Sequence, residues 1–230
     1  MGMKYNVILA DPPWHFQTRS KKGEKKSASQ YYSTMDLDQI CALDVSSIAS
    51  DNSALFLWCC WPHIFMAERV MQAWGFKYSG LAWEWVKYNE ETGKFAFGLG
   101  YGTRKNVEPC LLARRGNPKL QSGSIRDILF AKRRQHSQKP YEQYFRIEDM
   151  YDGPYVEMFA REGRRRWDVW GDDPGIREGR APLDTCIGGV PILRSTKPAK
   201  RDLRSASDDG LCHEERGRCF TPPAISPDFR

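Results

Sequence analysis

Short apolar runs alternate with amphipathic segments along the first 170 residues of the chain. Aliphatic and aromatic runs bounded by proline, glycine or polar residues predict strands, which we place at 5–10, 54–58, 76–87, 107–114, 124–131, 154–161 and 167–170. Apolar positions three or four residues apart predict helices at 35–48, 62–74 and 140–151. Thr34 or Asp36 can cap the first helix, and a proline occupies the first turn of each of the other two. Because strands and helices alternate, the chain is predicted to be an α/β protein with a wound sheet.

The pattern changes from Gly175 onward, where proline, glycine, serine and charged residues dominate. The one apolar patch there, Ile187 to Leu193, is interrupted by two glycines and a proline. Such a composition does not favour a packed core. We therefore expect residues 1–174 to form the folded domain, and residues 175–230 to be a disordered basic and polar tail that is dispensable for chemistry.

Composition narrows the class of protein. The 230 residues are 40% hydrophobic and 13% aromatic, which is enough for a sizeable core, and the net charge of +6 modestly favours an anionic partner. Seven cysteines without any C-x-x-C pair, together with four scattered histidines, do not predict a metal site. No apolar run approaches about 20 residues and no signal peptide is evident, so we expect a cytoplasmic protein with reduced cysteines and no membrane partner.

The sequence Asp11-Pro12-Pro13-Trp14 follows the first predicted strand, at the edge where open α/β sheets bind ligands. These residues suit modification of an exocyclic amine on a nucleobase, a poor nucleophile because its lone pair is delocalised into the ring. The Asp11 carboxylate and the Pro12 carbonyl could accept the two amine hydrogens and draw the nitrogen towards sp³ geometry, since both prolines hold their backbone rigidly. Trp14 could offer a flat face to a flipped base. The alternative is a strand-ending turn with a packed tryptophan.

Two stretches could contact a polynucleotide. The loop after Trp14 carries five basic residues that could bind phosphates, namely Arg19, Lys21, Lys22, Lys25 and Lys26. The segment from Gly93 to Arg104 is rich in glycine and aromatic residues and could clamp a nucleotide. The alternatives are a solvated surface loop for the first stretch and a surface hairpin for the second.

Two later segments add polar groups to the predicted site. Lys139 directly precedes a predicted helix N-terminus, where free N–H groups and the helix dipole favour an anion. Asp172 and Asp173 follow the last predicted strand, at a sheet edge where ribose hydroxyls are often held.

Taken together, the motifs Asp11-Pro12-Pro13-Trp14, His136-Ser137-Gln138-Lys139-Pro140 and Val156-Glu157-Met158-Phe159-Ala160-Arg161 resemble those of the MT-A70 family of adenine-N6 methyltransferases. Shorter landmarks such as Leu55-Phe56-Leu57-Trp58 and Trp85-Val86-Lys87 follow in the family's order, so the resemblance covers residues 4–173. It implies a Rossmann-like class I methyltransferase sheet with helices on both faces and a permuted motif order, the catalytic strand first and the cofactor strand last. It also implies S-adenosyl-L-methionine as cofactor.

The resemblance implies roles for individual residues. On the substrate side, Asp11 and Pro12, within the catalytic motif that includes Pro13, would hold the target amine, Trp14 would line the base pocket, and Glu108 would lie near the target base. The implied cofactor contacts come from six residues, namely Tyr32, Ser137, Lys139, Phe159, Arg161 and Asp172. Ser137 and Lys139 would bind the methionine end, Phe159 and Arg161 would border the adenosine, and Asp172 would lie on the ribose or adenine side. Tyr32 would close over the cofactor or the base.

The chain departs from the family pattern in three respects. Eukaryotic relatives favour an Asn-Gln pair where this chain has Asp172-Asp173. Only ten residues precede Asp11, so cofactor contacts that longer relatives make from upstream residues must come from elsewhere or be absent. A Gly-x-Gly cofactor loop is missing, as is usual for the family.

The leading hypothesis is an S-adenosylmethionine-dependent adenine-N6 methyltransferase acting on nucleic acid. DNA is favoured over RNA because the compact form resembles bacterial and phage members. A catalytically inactive nucleic-acid-binding paralogue is one alternative, although the intact motif and Lys139 argue against it. A methyltransferase for cytosine N4 or protein glutamine is another, but those activities more often go with Ser or Asn in place of Asp11. The sequence leaves open whether the protein forms a homo- or heterodimer.

Overall fold

The computed structural model describes residues 2–15, 34–96, 98, 102–134, 138–171, 181–187 and 190–194, without the side chains of 181–186 and 191. Its strands are β1 (Tyr5–Ala10), β2 (Ala49–Trp58), β3 (Lys77–Tyr88), β4 (Val107–Arg115), β5 (Ile128–Lys132), β6 (Tyr155–Met158), β7 (Trp167–Trp170), β8 (Ala181–Ile187) and β9 (Val190–Arg194). Its helices are α1 (Leu37–Cys41), α2 (Ile64–Ala73) and α3 (Glu142–Met150), with short 3₁₀ turns at Val45–Ser47 and Trp61–His63.

The described strands form a single, mostly parallel sheet in the order β5-β3-β4-β2-β1-β6-β7-β9-β8. Strand β1 lies inside the sheet and pairs in parallel with β2 and with β6. Strand β4 runs antiparallel to both of its neighbours, β2 and β3, and β9 runs antiparallel to β7 and β8. The carboxyl ends of β1, β2, β3 and β6 therefore share one edge of the sheet with the amino end of β4.

The described helices pack on both faces of the sheet. On one face, Ile8 and Ala10 of β1 belong to a buried cluster with residues of α1 and α2. On the other face, Val7 and Leu9 belong to a cluster with residues of α3. Since side chains alternate along a strand, β1 supplies both clusters and is almost fully buried. None of the described helices is long and apolar enough to cross a membrane.

Most of the predicted elements are present, with adjusted bounds. Strands β1 and β7 have the predicted limits, and α2 follows a turn that contains Pro62 and is followed by Gly75 at a positive φ of 81°. The predicted helix 35–48 is wrong in length, because α1 has only five residues and a separate 3₁₀ turn follows it. Asp36 caps α1 in a reciprocal pair of hydrogen bonds with Gln39.

Part of the segment predicted as a disordered tail is folded. Strands β8 and β9 form a hairpin, and β9 pairs with β7. Ile187 and Ile192 are buried, and the indole Nε1 of Trp170 donates to the carbonyls of Ile187 and Val190, at 3.2 and 3.0 Å. The prediction fails here because the hairpin covers an otherwise open sheet edge, which composition does not reveal. Residues 195–230 lie outside the described part of the chain.

Candidate active site

Asp11 lies directly beyond β1, where two prolines end the strand. Ala10 pairs with Leu57 of β2 and with Met158 of β6, so Asp11 lies between the ends of both neighbours. The Trp14 N–H donates to the Pro12 carbonyl at 2.8 Å. The segment before α1 holds the same turn, since the Met35 N–H donates to the Pro13 carbonyl at 2.9 Å. The turn that carries the carboxylate is therefore fixed by backbone hydrogen bonds on both sides.

Four charged side chains form an alternating chain at this edge of the sheet. The Lys139 ammonium lies 2.7 Å from Asp11 Oδ2 and 2.9 Å from Glu108 Oε1. The Lys87 ammonium contacts the other oxygen of Glu108. The side chains of Lys139, Glu108 and Asp11 are 10%, 18% and 26% exposed, so water screens these interactions only partly. The order Lys87, Glu108, Lys139, Asp11 gives two positive and two negative groups in one contact network, which we call the charge chain.

The direction of β4 brings Glu108 into the charge chain. Glu108 is the second residue of β4 and pairs with Trp85, near the end of β3. In an all-parallel sheet, a residue so early in its strand would lie at the opposite edge from Asp11. Because β4 is antiparallel, its beginning lies beside the ends of β2 and β3. The structure thus places Glu108 close to Asp11, at the edge where the family resemblance predicts the target base.

The two carboxylates of the charge chain have pKa values that are shifted in opposite directions. Burial alone would raise the pKa of Glu108, but the ammonium groups of Lys139 and Lys87 lower it to about 2. Burial raises the pKa of Asp11 above its usual value; Lys139 opposes this rise and the Glu108 carboxylate adds to it. Burial would lower the pKa of Lys139, but its two carboxylate partners raise it. Lys139 and Glu108 therefore stay charged at neutral pH, and Asp11 is the more readily protonated carboxylate.

Lys139 is held by residues that the sequence analysis did not assign to the site. Its ammonium lies 5.4 Å from the ring centre of Trp58, which hydrogen-bonds Gln143 on α3 through its indole Nε1. Arg134 donates to the Lys139 carbonyl at 3.0 Å and also contacts Glu162. Lys139 lies three residues before α3 and its charge is directed at two carboxylates, so in this structure it does not reinforce an anion site at the helix terminus.

A small cleft opens beside Asp11, between the ends of β1 and β6 and the start of α3. Its lining combines cations, carboxylates, amides and aromatic rings: Leu9, Asp11, Trp58, Arg134, Gln138, Lys139, Gln143, Tyr144, Glu157, Phe159, Arg161 and Glu162. Three of the residues predicted for cofactor binding, Lys139, Phe159 and Arg161, thus share one cleft with Asp11.

Glu157 is a cleft residue to which the sequence analysis gave no role. It lies on β6 opposite Leu9 of β1, and it accepts a hydrogen bond from the Tyr144 hydroxyl at 2.9 Å. Burial raises the pKa of Glu157 to about 7; the Tyr144 hydrogen bond opposes this rise, and the Asp11 charge adds to it. The available signal in the sequence was an acidic residue inside an otherwise apolar strand, since such a residue needs a partner or a function.

Phe159 follows β6 with a positive φ of 61°, a conformation that is uncommon for a residue other than glycine. Its ring meets Trp170 edge-on at 5.1 Å, and the next residue, Ala160, donates to the Trp170 carbonyl at 3.1 Å. These contacts with β7 hold the strained turn beside the cleft.

Trp14 is packed in the core. Trp14 is 8% exposed, and its indole Nε1 donates to the Trp58 carbonyl at 3.0 Å. The His63 ring stacks on the indole, with 5.6 Å between the ring centres. His63 also contacts the His15 carbonyl at 3.1 Å. The structure favours the packed-tryptophan alternative over an exposed stacking surface, because the ring is already covered by protein.

Several predicted residues lie outside the described part of the chain, namely Arg19, Lys21, Lys22, Lys25, Lys26, Tyr32, Ser137 and Asp172. Their roles stay predictions. In the aromatic segment after β3, the Ala96 N–H donates to the Lys87 carbonyl at 2.8 Å, and Phe95 pairs with Tyr88. These contacts agree with the hairpin alternative for that segment. Among the described residues, no group of three or more His, Cys, Asp or Glu side chains is arranged to hold a metal ion.

Comparison with known proteins gives a consistent assignment. A family model described as MT-A70 matches residues 5–173. The type II methyltransferase M.MunI of a Mycoplasma species is 32% identical over 186 residues, which are 73% of this chain and 77% of that protein. The N(6)-adenosine-methyltransferase catalytic subunit METTL3 of Homo sapiens is 28% identical over 165 residues, 69% of this chain and 26% of that protein. An MT-A70-like N(6)-adenosine-methyltransferase of Arabidopsis thaliana is 29% identical over 163 residues, 68% of this chain and 22% of that protein. The chain belongs to the MT-A70 family, whose members transfer a methyl group from S-adenosylmethionine to the N6 amine of adenine.

Proposed function

We propose that this chain methylates the N6 amine of adenine in DNA, with Asp11 and Pro12 as the acceptors that hold the amine. The observation that carries the proposal is the position of Asp11: its carboxylate stands at the end of β1, on the rim of the cleft, with one oxygen bound to Lys139. The other oxygen, Oδ1, is the one we assign to an amine hydrogen.

Pro12 supplies the second acceptor in this proposal. Its carbonyl already accepts the Trp14 N–H at 2.8 Å, which fixes its direction, and a carbonyl oxygen has a second lone pair for another donor. Two acceptors on the amine hydrogens draw the nitrogen towards sp³ geometry and free its lone pair. The nitrogen then bonds to the methyl carbon while the carbon–sulfur bond breaks, and the extra proton leaves the nitrogen. The raised pKa of Asp11 suits it to receive that proton after the transfer.

The cleft fits S-adenosylmethionine in its chemistry. The cofactor supplies an electrophilic methyl group on a sulfonium sulfur. Arg134 and Arg161 provide cations for the methionine carboxylate, since the Lys139 ammonium is already bound to Asp11 and Glu108, and Glu157 and Glu162 provide carboxylates for the ammonium group of the cofactor. Phe159 provides an aromatic ring for the adenine.

The order of these parts along the chain agrees with a permuted class I methyltransferase, the finer fold that we propose. The strand that presents Asp11 is β1, and the strand that presents Glu157 and Phe159 is β6, after the helices that cover both faces. Catalysis in such a site is mostly positioning and polarisation, since the amine attacks the methyl group without a covalent enzyme intermediate. A cytoplasmic location stays part of the proposal.

DNA is the proposed substrate because the relatives differ in how much of their own length this chain matches. The chain matches a type II methyltransferase over most of both lengths, whereas the relatives named for adenosine share only about a quarter of their lengths with it. The test is mass spectrometry of nucleosides from host DNA and RNA, with and without expression of the protein. N6-methyladenine that rises in DNA supports the proposal. A rise confined to RNA would overturn it.

Asp11→Asn tests the catalytic assignment, because asparagine keeps the shape of the side chain but has no charge. One of its two oxygen acceptors is also replaced by an NH₂ donor. We expect methyl transfer to fall by at least about 100-fold, as when one polarising group is removed from an active site. We expect the Kd for S-adenosylmethionine, measured by isothermal titration, to change little. Asp51→Asn, on an exposed position of β2, is the matched control. Retained activity would disprove the role of Asp11, and absence of cofactor binding in the unmodified protein would favour an inactive paralogue.

A further inference from the structure

Lys87 is the member of the charge chain at the opposite end from Asp11, and the proposed chemistry gives it no role. It lies near the end of β3, with Trp85 of the same strand paired to Glu108 of β4. Its ammonium contacts one oxygen of Glu108, while Lys139 contacts the other oxygen at 2.9 Å. The Trp85 ring lies 4.6 Å from the Lys87 ammonium, so the lysine is held between an aromatic face and a carboxylate.

The two lysines divide the oxygens of Glu108 between them. If Lys87 lost its charge, both oxygens of Glu108 would compete for the Lys139 ammonium, which also serves Asp11 at 2.7 Å. The remaining three groups would then carry one excess negative charge in a partly buried site. The positive charge of Arg161 opposes that excess at Asp11 only weakly beside Lys139, and the Glu157 carboxyl on β6 adds to it when ionised. Protonation of a carboxylate would relieve that excess, and Asp11 is the carboxylate more easily protonated.

Other groups around Glu108 do not replace Lys87. The thiols of Cys59 and Cys60, just after β2, and of Cys110 on β4 interact electrostatically with Glu108, and burial raises the pKa of each, so they stay neutral. Glu84 on β3 adds a further carboxylate in the neighbourhood. These neighbours leave the neutralisation of Glu108 to its two contacting lysines.

We propose that Lys87 is a positioning residue for methyl transfer: it binds one oxygen of Glu108 and so leaves the other oxygen to hold Lys139 against Asp11. The inference rests on the proposed role of Asp11. Lys87 acts through Glu108 and Lys139, and it keeps Asp11 ionised and ready to accept the amine hydrogens.

The experiment compares Lys87→Met and Lys87→Arg with the unmodified protein, over pH 5 to 9 as the assay range. For Lys87→Met we expect kcat at neutral pH to fall by about 10- to 100-fold, while the Kd for S-adenosylmethionine stays within about twofold. The profile is compared in a Glu157→Gln background, because Glu157 itself titrates near pH 7. There the acidic limb of the kcat profile should move to higher pH by about one unit, because Asp11 becomes harder to ionise. Lys87→Arg keeps the charge and should restore most of the activity and the original limb.

Lys77→Met is the matched control, because Lys77 is exposed at the other end of β3. Where Lys87→Met does not fold, Lys87→Gln keeps a donor without the charge and should show the same shift of the limb. A wild-type kcat and pH profile in Lys87→Met or Lys87→Gln, or a loss that Lys87→Arg does not restore, would overturn the inference. Asp11→Asn, assayed in parallel, separates the two proposals: an active Asp11→Asn defeats the proposed function, whereas an inactive one beside an unaffected Lys87 variant defeats only this inference.

Discussion

Two glutamates flank Asp11 on opposite sides, and they behave in opposite ways. Glu108 approaches from β4 and Glu157 from β6, and each accepts a hydrogen bond of 2.9 Å. The pKa of Glu108 is lowered to about 2, whereas that of Glu157 is raised to about 7. Burial would raise both, so the difference comes from the partners: two ammonium groups for Glu108 and a neutral phenol for Glu157.

The comparison shows how the surroundings of Asp11 differ between its β4 side and its β6 side. A full positive charge in contact overcomes the cost of burying a carboxylate, and a neutral donor at the same distance does not. The β4 side is therefore a fixed-charge region that orients Asp11. The β6 side can gain a charge near neutral pH, when a cation such as the methionine ammonium lies beside it.

Among the changes on the β4 side, removal of the Lys139 ammonium should lower the free energy of unfolding most. Lys139→Met leaves Asp11 and Glu108 without the ammonium that joins them, at a position where the lysine is 10% exposed. We expect a loss of about 3 kcal/mol in the free energy of unfolding, since a buried charge that loses its partner costs about 3–5 kcal/mol. Urea denaturation measures it, and Lys119→Met at an exposed position is the control. A loss below about 1 kcal/mol would mean that the charge chain adds little to stability.

The stability contributed by Glu108 should depend on pH in the acid range. Its pKa in the folded protein is about 2, against a usual value of 4.5, so its contribution is present above pH 4.5 and lost as the pH falls towards 2. We expect the unmodified protein to exceed Glu108→Gln by up to about 3 kcal/mol near pH 5, with the difference shrinking in acid. Denaturation of both proteins from pH 5 down to 2 checks this. A difference that does not change over this range would contradict it.

The ionisation of Glu157 should change the stability in the opposite direction as the pH rises. Its folded-state pKa of about 7 lies above the usual 4.5, so the folded protein binds the proton more tightly, and stability falls as the pH rises from 4.5 to 7. Glu157→Gln removes this titration, and its free energy of unfolding relative to the unmodified protein should increase over that range, by about 1–3 kcal/mol. A constant difference between pH 4.5 and 8 would show that Glu157 titrates normally.

The sequence predicted the catalytic edge better than it predicted the charge chain. Pro12 and Pro13 end β1 in a way that local stereochemistry dictates, so the position of Asp11 follows from the sequence. The direction of β4 does not, because a strand's direction depends on its neighbours in the sheet, and without it Glu108 cannot be placed by reasoning from the residues. The family resemblance located Glu108 near the target base, but its two lysine partners come only from the structure.

The β6 side was harder to predict for a similar reason. Tyr144 and Glu157 lie on different elements, a helix and a strand, and meet only because α3 packs over the end of β6. The β8–β9 hairpin was missed because its sequence is rich in residues that usually mark disorder, while the sheet edge that it covers exists only in the folded protein.

The smallest expected effect on stability comes from removing the Tyr144 hydroxyl, the neutral donor to Glu157. Tyr144→Phe removes the hydroxyl that donates to Glu157 and should raise the pKa of Glu157 further, because this hydrogen bond opposes the rise caused by burial. We expect a loss of about 1 kcal/mol in the free energy of unfolding at pH 8, the usual worth of a hydrogen bond, and less at pH 5, where Glu157 is protonated. Tyr78→Phe, at a position that is 55% exposed, is the control. A loss at pH 8 as large as that of Lys139→Met would mean that a neutral donor stabilises a buried carboxylate as well as an ammonium does. It would remove the difference between the β4 side and the β6 side of Asp11.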